Sequence, residues 1–286
     1  MSSDDQAAYL ARLGLDAEPP SAEALVRLHR AQVERVPYET LWIHTGQHWG
    51  VDLAESVARI ANVRRGGYCF HLNGAFSVLL ESLGYQVTRH VGGVHGPVAA
   101  TEQEMANHLV LTVAGLPTDD NPDGAWYADA GLGDALHEPT PLVAGPIEQS
   151  PFTMRLDETP GAIGDWHLTH GELGGFAGMA WRSAPATIDD FREKHAWLST
   201  APQSGFVRVL TVQQRDATGV DILRGCVLSR VGEGATSADV TNQVELEHVL
   251  TDLFHLDLMG IEPSNLTAMW DRMEREHERW TAAGRP

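Results

Sequence analysis

Apolar residues recur three and four positions apart through the first 84 residues, a spacing typical of helices with one buried face. The sets are Tyr9, Leu10 and Leu13; Leu25, Leu28, Val33 and Val36; Leu53, Val57 and Ile60; and Leu72, Phe76, Leu79, Leu80 and Leu83. Ser21 is placed to cap the second helix, and Pro37 to end it. The pattern predicts a helical bundle over residues 1–85.

The pattern then changes to short stretches rich in valine, leucine and aromatic residues, separated by glycine, proline, asparagine and aspartate. The predicted strands cover residues 86–94, 108–113, 126–130, 152–156, 166–169 and 179–182. Residues 134–151 contain Pro139, Pro141, Pro146 and Pro151, and we expect an irregular connection there. Residues 86–187 are therefore predicted to form an antiparallel, barrel-like β-domain.

Residues 188–286 mix both kinds of pattern. A helix is predicted at 188–198, strands at 206–213 and 222–230, and two helices near the end of the chain. Asn242 and Glu245 have the spacing of a capping box at the start of the first of these two helices. The predicted fold class is α+β, with a helical bundle, a β-barrel-like domain and a C-terminal α/β lid.

The formal net charge of −19 argues against binding to nucleic acid or to an anionic membrane, because both would repel an acidic surface. No stretch is apolar for long enough to span a bilayer, and Met1–Gln6 is too polar for a secretory signal. We therefore expect a cytoplasmic protein. Its two cysteines, Cys69 and Cys226, are then expected to be unpaired, and two buried inert thiols are the simplest interpretation.

One stretch favours a reactive cysteine instead. In RRGGYCFHLNGAF (Arg64–Phe76), Cys69 follows two glycines and precedes an apolar helical run. The glycines permit a tight backbone path, and the cysteine lies near the first turn of the predicted helix. The helix dipole and the free N–H groups there would stabilise a thiolate.

Cysteine catalysis also needs a base and a group that orients the base. His108 opens the apolar stretch HLVLTV, where a polar ring is costly without a partner, and Asp129 lies in WYADAGLGD. Each has a plainer interpretation: a half-hydrated histidine at a strand entrance, and an aspartate that caps the following glycine turn. Together with Cys69 they indicate thiol acyl transfer or hydrolysis, a chemistry shared by several unrelated families.

The cysteine segment, the strand that begins at His108 and the segment DAGLG resemble the three signature segments of the arylamine N-acetyltransferase family. The resemblance continues in VPYET (36–40) and in STAPQSGF (199–206). It implies that Cys69 is the nucleophile, His108 its base and Asp129 the orienting carboxylate.

The resemblance also implies a two-step reaction. Cys69 would take an acetyl group from acetyl-CoA and pass it to an arylamine, arylhydrazine or arylhydroxylamine, with no permanently bound cofactor. The family pocket positions for the acceptor correspond to Tyr38, Val94, Leu132 and Phe206, and ordinary core packing is the alternative for Val94 and Leu132. Gly92 and Gly93 are the candidates for approach to the CoA pyrophosphate, and homo-oligomerisation is left open.

The chain departs from the family pattern at two positions. His71 replaces a glutamate that would pair with Arg65, so Arg65 needs another anion, either Glu39 or a substrate group. Leu132 replaces a phenylalanine that many members carry, which leaves more room for the acceptor. These departures keep open a same-fold amide synthase that transfers a larger acyl group, and a non-catalytic binding module is the remaining alternative.

A metal site is a further alternative in the β-domain. His167 and His170, with Glu172 nearby, lie in a stretch of predicted strand and turn. Their spacing matches neither a helical HExxH motif nor a paired-cysteine site. We therefore predict no metal site.

Overall fold

The computed structural model describes residues 1–98, 100–160 and 163–285, and they form the predicted α+β fold. The helices are α1 (Ser3–Leu13), α2 (Ala22–Arg35), α3 (Leu41–His44), α4 (Leu53–Val63), α5 (Cys69–Ser82), α6 (Arg192–Thr200), α7 (Gly205–Arg208), α8 (Gln243–His248) and α9 (Pro263–Ala282). A 3₁₀ turn (Ile188–Phe191) precedes α6, and a π-helical segment (Val249–Leu253) follows α8.

The strands form two antiparallel sheets. They are β1 (Tyr38–Glu39), β2 (Gln86–His95), β3 (His108–Ala114), β4 (Trp126–Tyr127), β5 (Thr140–Pro141), β6 (Gly145–Gln149), β7 (Phe152–Glu158), β8 (Trp166–His170), β9 (Gly178–Pro185), β10 (Thr211–Arg215), β11 (Gly219–Arg224), β12 (Val227–Gly232) and β13 (Thr236–Asp239). The larger, barrel-like sheet has the order β5-β4-β3-β2-β9-β8-β7-β6, and the smaller one β1-β10-β11-β12-β13.

The hydrophobic core is divided into three clusters that cross the predicted domain boundaries. The first joins α1, α2, α4 and α5 to one face of β2 and β3, and includes Leu109 and Leu111. The second lies under the C-terminal helices and includes Leu41, while the third fills the larger sheet and includes Val220. The division at residues 85 and 187 therefore stays a prediction.

Three local predictions were wrong. Residues 134–151 contain β5 and β6 rather than an irregular connection. Pro141 of β5 and Pro146 of β6 lie on the two edge strands of the larger sheet, where a missing N–H is tolerated. Residues 206–208 belong to α7, because the Ser204 side chain accepts the N–H of Phe206 and caps a helical turn. The predicted strand 222–230 is two strands, β11 and β12, which turn at Gly225 with a positive φ of 56°.

Two smaller corrections concern β1 and the start of α8. The first 85 residues include β1, which pairs with β10 of the C-terminal region and forms a bridge to Gly67. Asn242 caps α8 by accepting the N–H of Glu245, as predicted, but the Glu245 carboxylate accepts from Thr241 instead of Asn242. Among the described residues, no helix combines the length and apolar character needed to cross a bilayer.

Candidate active site

Cys69 is the first residue of α5, and it is 3% exposed. The two glycines before it are required by close packing: a Cβ on Gly66 would lie 1.9 Å from the carbonyl oxygen of Pro37, and one on Gly67 would lie 2.7 Å from the His71 ring. Gly67 also has a φ of 126°. This backbone brings the thiol to the positive end of a 14-residue helix.

The two cysteines lie in different surroundings. Cys226 is buried under the C-terminal helices, where burial, with the Glu274 and Asp239 carboxylates, raises the pKa of its thiol to about 11. Cys226 is therefore the inert thiol that the simplest interpretation expected. The Cys69 thiol instead faces the ring of His108 and lies 3.5 Å from the carbonyl oxygen of Asn107.

The three predicted residues come together at the junction of α5, β3 and β4. His108 is the first residue of β3, and Asp129 follows β4 by two residues. Because β3 and β4 are paired, these two residues become neighbours, and His108 Nε2 donates to Asp129 Oδ2 at 2.7 Å. Nδ1 is then the ring nitrogen left to act on the thiol.

The electrostatics of the site favour a charged His108. Burial by itself would lower the pKa of this histidine, but the Asp129 carboxylate and Cys69 outweigh burial and raise the pKa from 6.5 to about 10. Burial by itself would raise the pKa of Asp129. The positive charge of His108 and the hydrogen bonds from His108, Asn73 and Gly131 outweigh burial, so the pKa of Asp129 is lowered. The arrangement therefore favours an imidazolium ring beside the sulfur of Cys69.

Asn73 and Tyr127 hold the carboxylate in place, and neither was identified from the sequence. Asn73 Nδ2 donates to Asp129 Oδ1 at 2.6 Å and to the carbonyl oxygen of Leu109 at 2.7 Å, while the Tyr127 hydroxyl donates to Asp129 Oδ2 at 3.1 Å. Asn73 lies four residues after Cys69, so both occupy one face of α5. The four-residue spacing from Cys69 is the sequence feature that could have identified Asn73.

Arg65 pairs with Glu39, one of the two anions expected from the sequence. Its guanidinium binds Glu39 Oε1 at 2.9 Å, and the side chains are 2% and 0% exposed, respectively. The backbone N–H of Glu39 donates to the carbonyl oxygen of Gly67 at 2.9 Å. This buried ion pair therefore ties β1 to the loop that positions Cys69.

His71 lies in an aromatic cluster rather than at the thiol. Its Nε2 donates to the carbonyl oxygen of Gly50 at 3.1 Å, and its ring packs edge-on against Tyr68 and Trp42. Burial, followed by the positive charge of Arg59, lowers the pKa of His71 well below 6.5. His71 is therefore a neutral packing residue, and Nδ1 has no hydrogen-bond partner among the described residues.

The four acceptor candidates are placed in different ways. Tyr38 and Leu132 line a narrow cleft beside Asp129, between α2 and β10. Phe206 packs edge-on against Tyr38 with ring centres 6.3 Å apart. Leu132 is also a buried member of the core of the larger sheet, and Val94 packs against that core, so core packing stays the alternative for both. The role of each in binding stays a prediction.

The two glycines proposed to approach CoA are both buried in the protein. A Cβ on Gly92 would lie 2.7 Å from Val110, and one on Gly93 would lie 2.9 Å from the sulfur of Met105. Close packing therefore accounts for both glycines without a ligand. Contact with CoA stays a prediction at these positions.

The comparisons with known proteins identify the family. A family model described as N-acetyltransferase matches residues 21–262. The arylamine N-acetyltransferase of Mycolicibacterium smegmatis is 32% identical over 244 residues, which cover 81% of this chain and 84% of that protein. The arylamine N-acetyltransferase structure from Nocardia farcinica matches with a TM-score of 0.79 and 28% identity, over 94% of this chain and 95% of that one.

A further solved structure, that of Mycobacterium marinum arylamine N-acetyltransferase in complex with CoA, shares the fold with a TM-score of 0.80 and 22% identity over 94% of this chain and 98% of that one. The fold, with a buried Cys–His–Asp arrangement, is thus that of an N-acetyltransferase. The chain belongs to the arylamine N-acetyltransferase family.

Proposed function

We propose that Cys69 of this arylamine N-acetyltransferase carries the acetyl group, that His108 moves the protons and that Asp129 orients His108. Acetyl-CoA is the acetyl donor and an aromatic amine or hydrazine the acceptor, as the family and its CoA complex support. The observation that carries the proposal is the buried 2.7 Å hydrogen bond between His108 and Asp129, beside the Cys69 sulfur, which helps to raise the pKa of the His108 ring.

In the first step, the Cys69 thiolate attacks the thioester carbonyl carbon of acetyl-CoA. The tetrahedral intermediate expels the CoA sulfur, which takes the proton of the imidazolium ring of His108. The products are free CoA and an acetyl thioester on Cys69. His108 is then neutral and able to act as a base.

In the second step, the amine nitrogen attacks the carbonyl carbon of the acetyl-cysteine. His108 accepts the proton that the nitrogen loses, and the Cys69 thiolate departs to give the amide. Asp129 keeps its negative charge throughout, because it stabilises the imidazolium and holds the ring rather than taking the proton. Tyr38, Val94, Leu132 and Phe206 stay our proposed acceptor contacts, and the rings of Tyr38 and Phe206 pack against each other.

The test is to incubate the protein with acetyl-CoA and follow intact mass and CoA release, with and without an aminosalicylate or a hydrazide. We expect an acetyl adduct that disappears when the amine is added. Cys69→Ala should lose the adduct, and Cys226→Ala is the matched control, because it removes the other buried thiol and should keep the adduct.

Two outcomes would contradict the proposal. An adduct that persists in Cys69→Ala would place the acetyl group on another residue. No adduct from acetyl-CoA, with one from a longer acyl thioester, would favour the amide synthase alternative that Leu132 leaves open. The cytoplasmic location stays a proposal that cell fractionation would test, and light scattering would decide the oligomeric state, which the sequence leaves open.

A further inference from the structure

Tyr68, the residue directly before Cys69, is tied to a helix of the C-terminal region. Its hydroxyl lies 2.5 Å from Nδ1 of His195 in α6, and both side chains are buried. The other ring nitrogen of His195, Nε2, lies 2.7 Å from the carbonyl oxygen of Trp49. One histidine therefore joins α6 to the start of α5 and to the loop before α4.

The carbonyl oxygen of Trp49 fixes the direction of both hydrogen bonds. A carbonyl only accepts, so Nε2 of His195 carries the proton of a neutral ring and Nδ1 keeps the lone pair. Burial, together with the positive charges of Arg59 and Arg192, lowers the pKa of His195 and favours this neutral ring. The Tyr68 hydroxyl therefore donates to Nδ1, and removal of that acceptor would leave a buried hydroxyl without its partner.

The backbone of Tyr68 forms the first turn of α5. Its carbonyl oxygen accepts the N–H groups of His71 and Leu72 at 2.8 and 3.1 Å. Cys69 follows Tyr68 directly as the first residue of the helix. Any shift of Tyr68 therefore moves the thiol relative to the ring of His108.

Two further contacts connect α6 and the turn before it to the site. Lys194, the neighbour of His195, donates to the carbonyl oxygen of Gln103 at 2.7 Å, in the segment that leads to His108. Phe191, directly before α6, packs against Phe70 with ring centres 5.1 Å apart. This part of the C-terminal region therefore contacts the chain next to the nucleophile and the chain before its base.

We propose that His195 is a positioning residue for acetyl transfer, which holds the Cys69 thiol against His108 by binding the hydroxyl of Tyr68. The inference rests on the proposed role of Cys69 as the nucleophile. His195 acts through Tyr68 rather than on the thiol itself. A small displacement is enough, because a misplacement of about 1 Å can lower the rate of an enzymatic reaction by about a hundredfold.

The test is the rate at which iodoacetamide alkylates Cys69 in the full chain, measured by mass spectrometry as a function of pH. His195→Leu and Tyr68→Phe should each slow alkylation at pH 7 by about tenfold and raise the pH at which the thiol becomes reactive. His195→Asn, whose side-chain oxygen can replace Nδ1 as the acceptor, should recover most of the parent rate. The double variant should be no slower than His195→Leu, because both changes remove the same hydrogen bond.

His170→Leu is the matched control. His170 is also a buried histidine, and its Nε2 donates to the carbonyl oxygen of Asp134 at 2.8 Å in the larger sheet. This variant should keep the alkylation rate and its pH dependence, and circular dichroism should show that all variants are folded. A loss of stability alone would change neither quantity in the folded protein.

Three results would overturn the proposal. They are parent-like alkylation in both His195→Leu and Tyr68→Phe, a His195→Asn variant as slow as His195→Leu, and a double variant in which the two losses multiply. Alkylation needs no acetyl-CoA, so its outcome is separate from that of the acetyl-transfer test. The expected alkylation rates without an acetyl adduct would reject the proposed function alone.

Discussion

The ring of His108 donates from Nε2 to Asp129 Oδ2 at 2.7 Å, and both residues are at most 2% exposed. A charged pair so fully enclosed is stable only if each partner keeps the other ionised. The pKa of His108 is accordingly raised to about 10 and that of Asp129 lowered.

Asp129→Asn should leave the protein folded but lower the rate of Cys69 acetylation by about a thousandfold or more. An amide cannot stabilise the imidazolium ring, and its N–H group favours the wrong ring tautomer. Stopped incubations with acetyl-CoA, analysed by intact mass, measure the rate. Glu172→Gln is the control, since Glu172 is exposed, and near-normal acetylation of Asp129→Asn would remove Asp129 from the mechanism.

Asn73→Ala and Tyr127→Phe should lower kcat by about tenfold to a hundredfold, because each removes a hydrogen bond to a buried charged carboxylate. A loosened Asp129 stabilises the imidazolium less, so the pKa of His108 should fall. The pH profile of kcat/KM measures this effect separately from stability. A profile identical to that of the parent enzyme would mean that the two residues only support packing.

His108→Gln should slow alkylation of Cys69 by iodoacetamide at pH 7 by about ten- to a hundredfold, because the thiolate loses its imidazolium partner. His71→Gln should change the rate by less than about threefold, since His71 binds the Gly50 carbonyl instead of the thiol. Mass spectrometry of the Cys69 peptide follows the reaction. A comparable loss in His71→Gln would make His71 a second base.

Glu39→Gln should lower the free energy of unfolding by about 3–5 kcal/mol, because it leaves the buried Arg65 guanidinium without a counter-charge. Urea unfolding followed by tryptophan fluorescence measures the change. Glu18→Gln is the matched control, since the Glu18–Arg27 pair is exposed and solvent screens its attraction, so its loss should change stability little. Equal effects in the two variants would show that the ion pair around Arg65 contributes little.

The stability should fall as the pH is lowered from 6.5 towards 4, and His44 is one cause. Burial, together with the Arg272 guanidinium, lowers the pKa of His44 to about 4. The unfolded chain, with an ordinary histidine pKa of about 6.5, then binds more protons in this range, so folding is opposed by up to about 3 kcal/mol. His44→Gln should flatten the pH dependence of unfolding, whereas the exposed His48→Gln should not.

The sequence by itself determined the fold class, most element positions and the family, because hydrophobic periodicity and the cysteine segment are local signals. It also pointed to Cys69, His108 and Asp129, which the structure brings together. Its errors lay where tertiary contacts overrule local preference. The proline-rich segment forms β5 and β6 at the two edges of the larger sheet. The Ser204 side chain caps a helical turn that contains Phe206.

Only the tertiary structure decided which side chains support the site. Asn73 binds Asp129 because α5 packs against β3, and Glu39 pairs with Arg65 because β1 lies beside the loop that carries Gly67. The hydrogen bond from Tyr68 to His195 depends on α6 lying beside the start of α5. Such contacts join residues far apart in the chain, so no local pattern carries them.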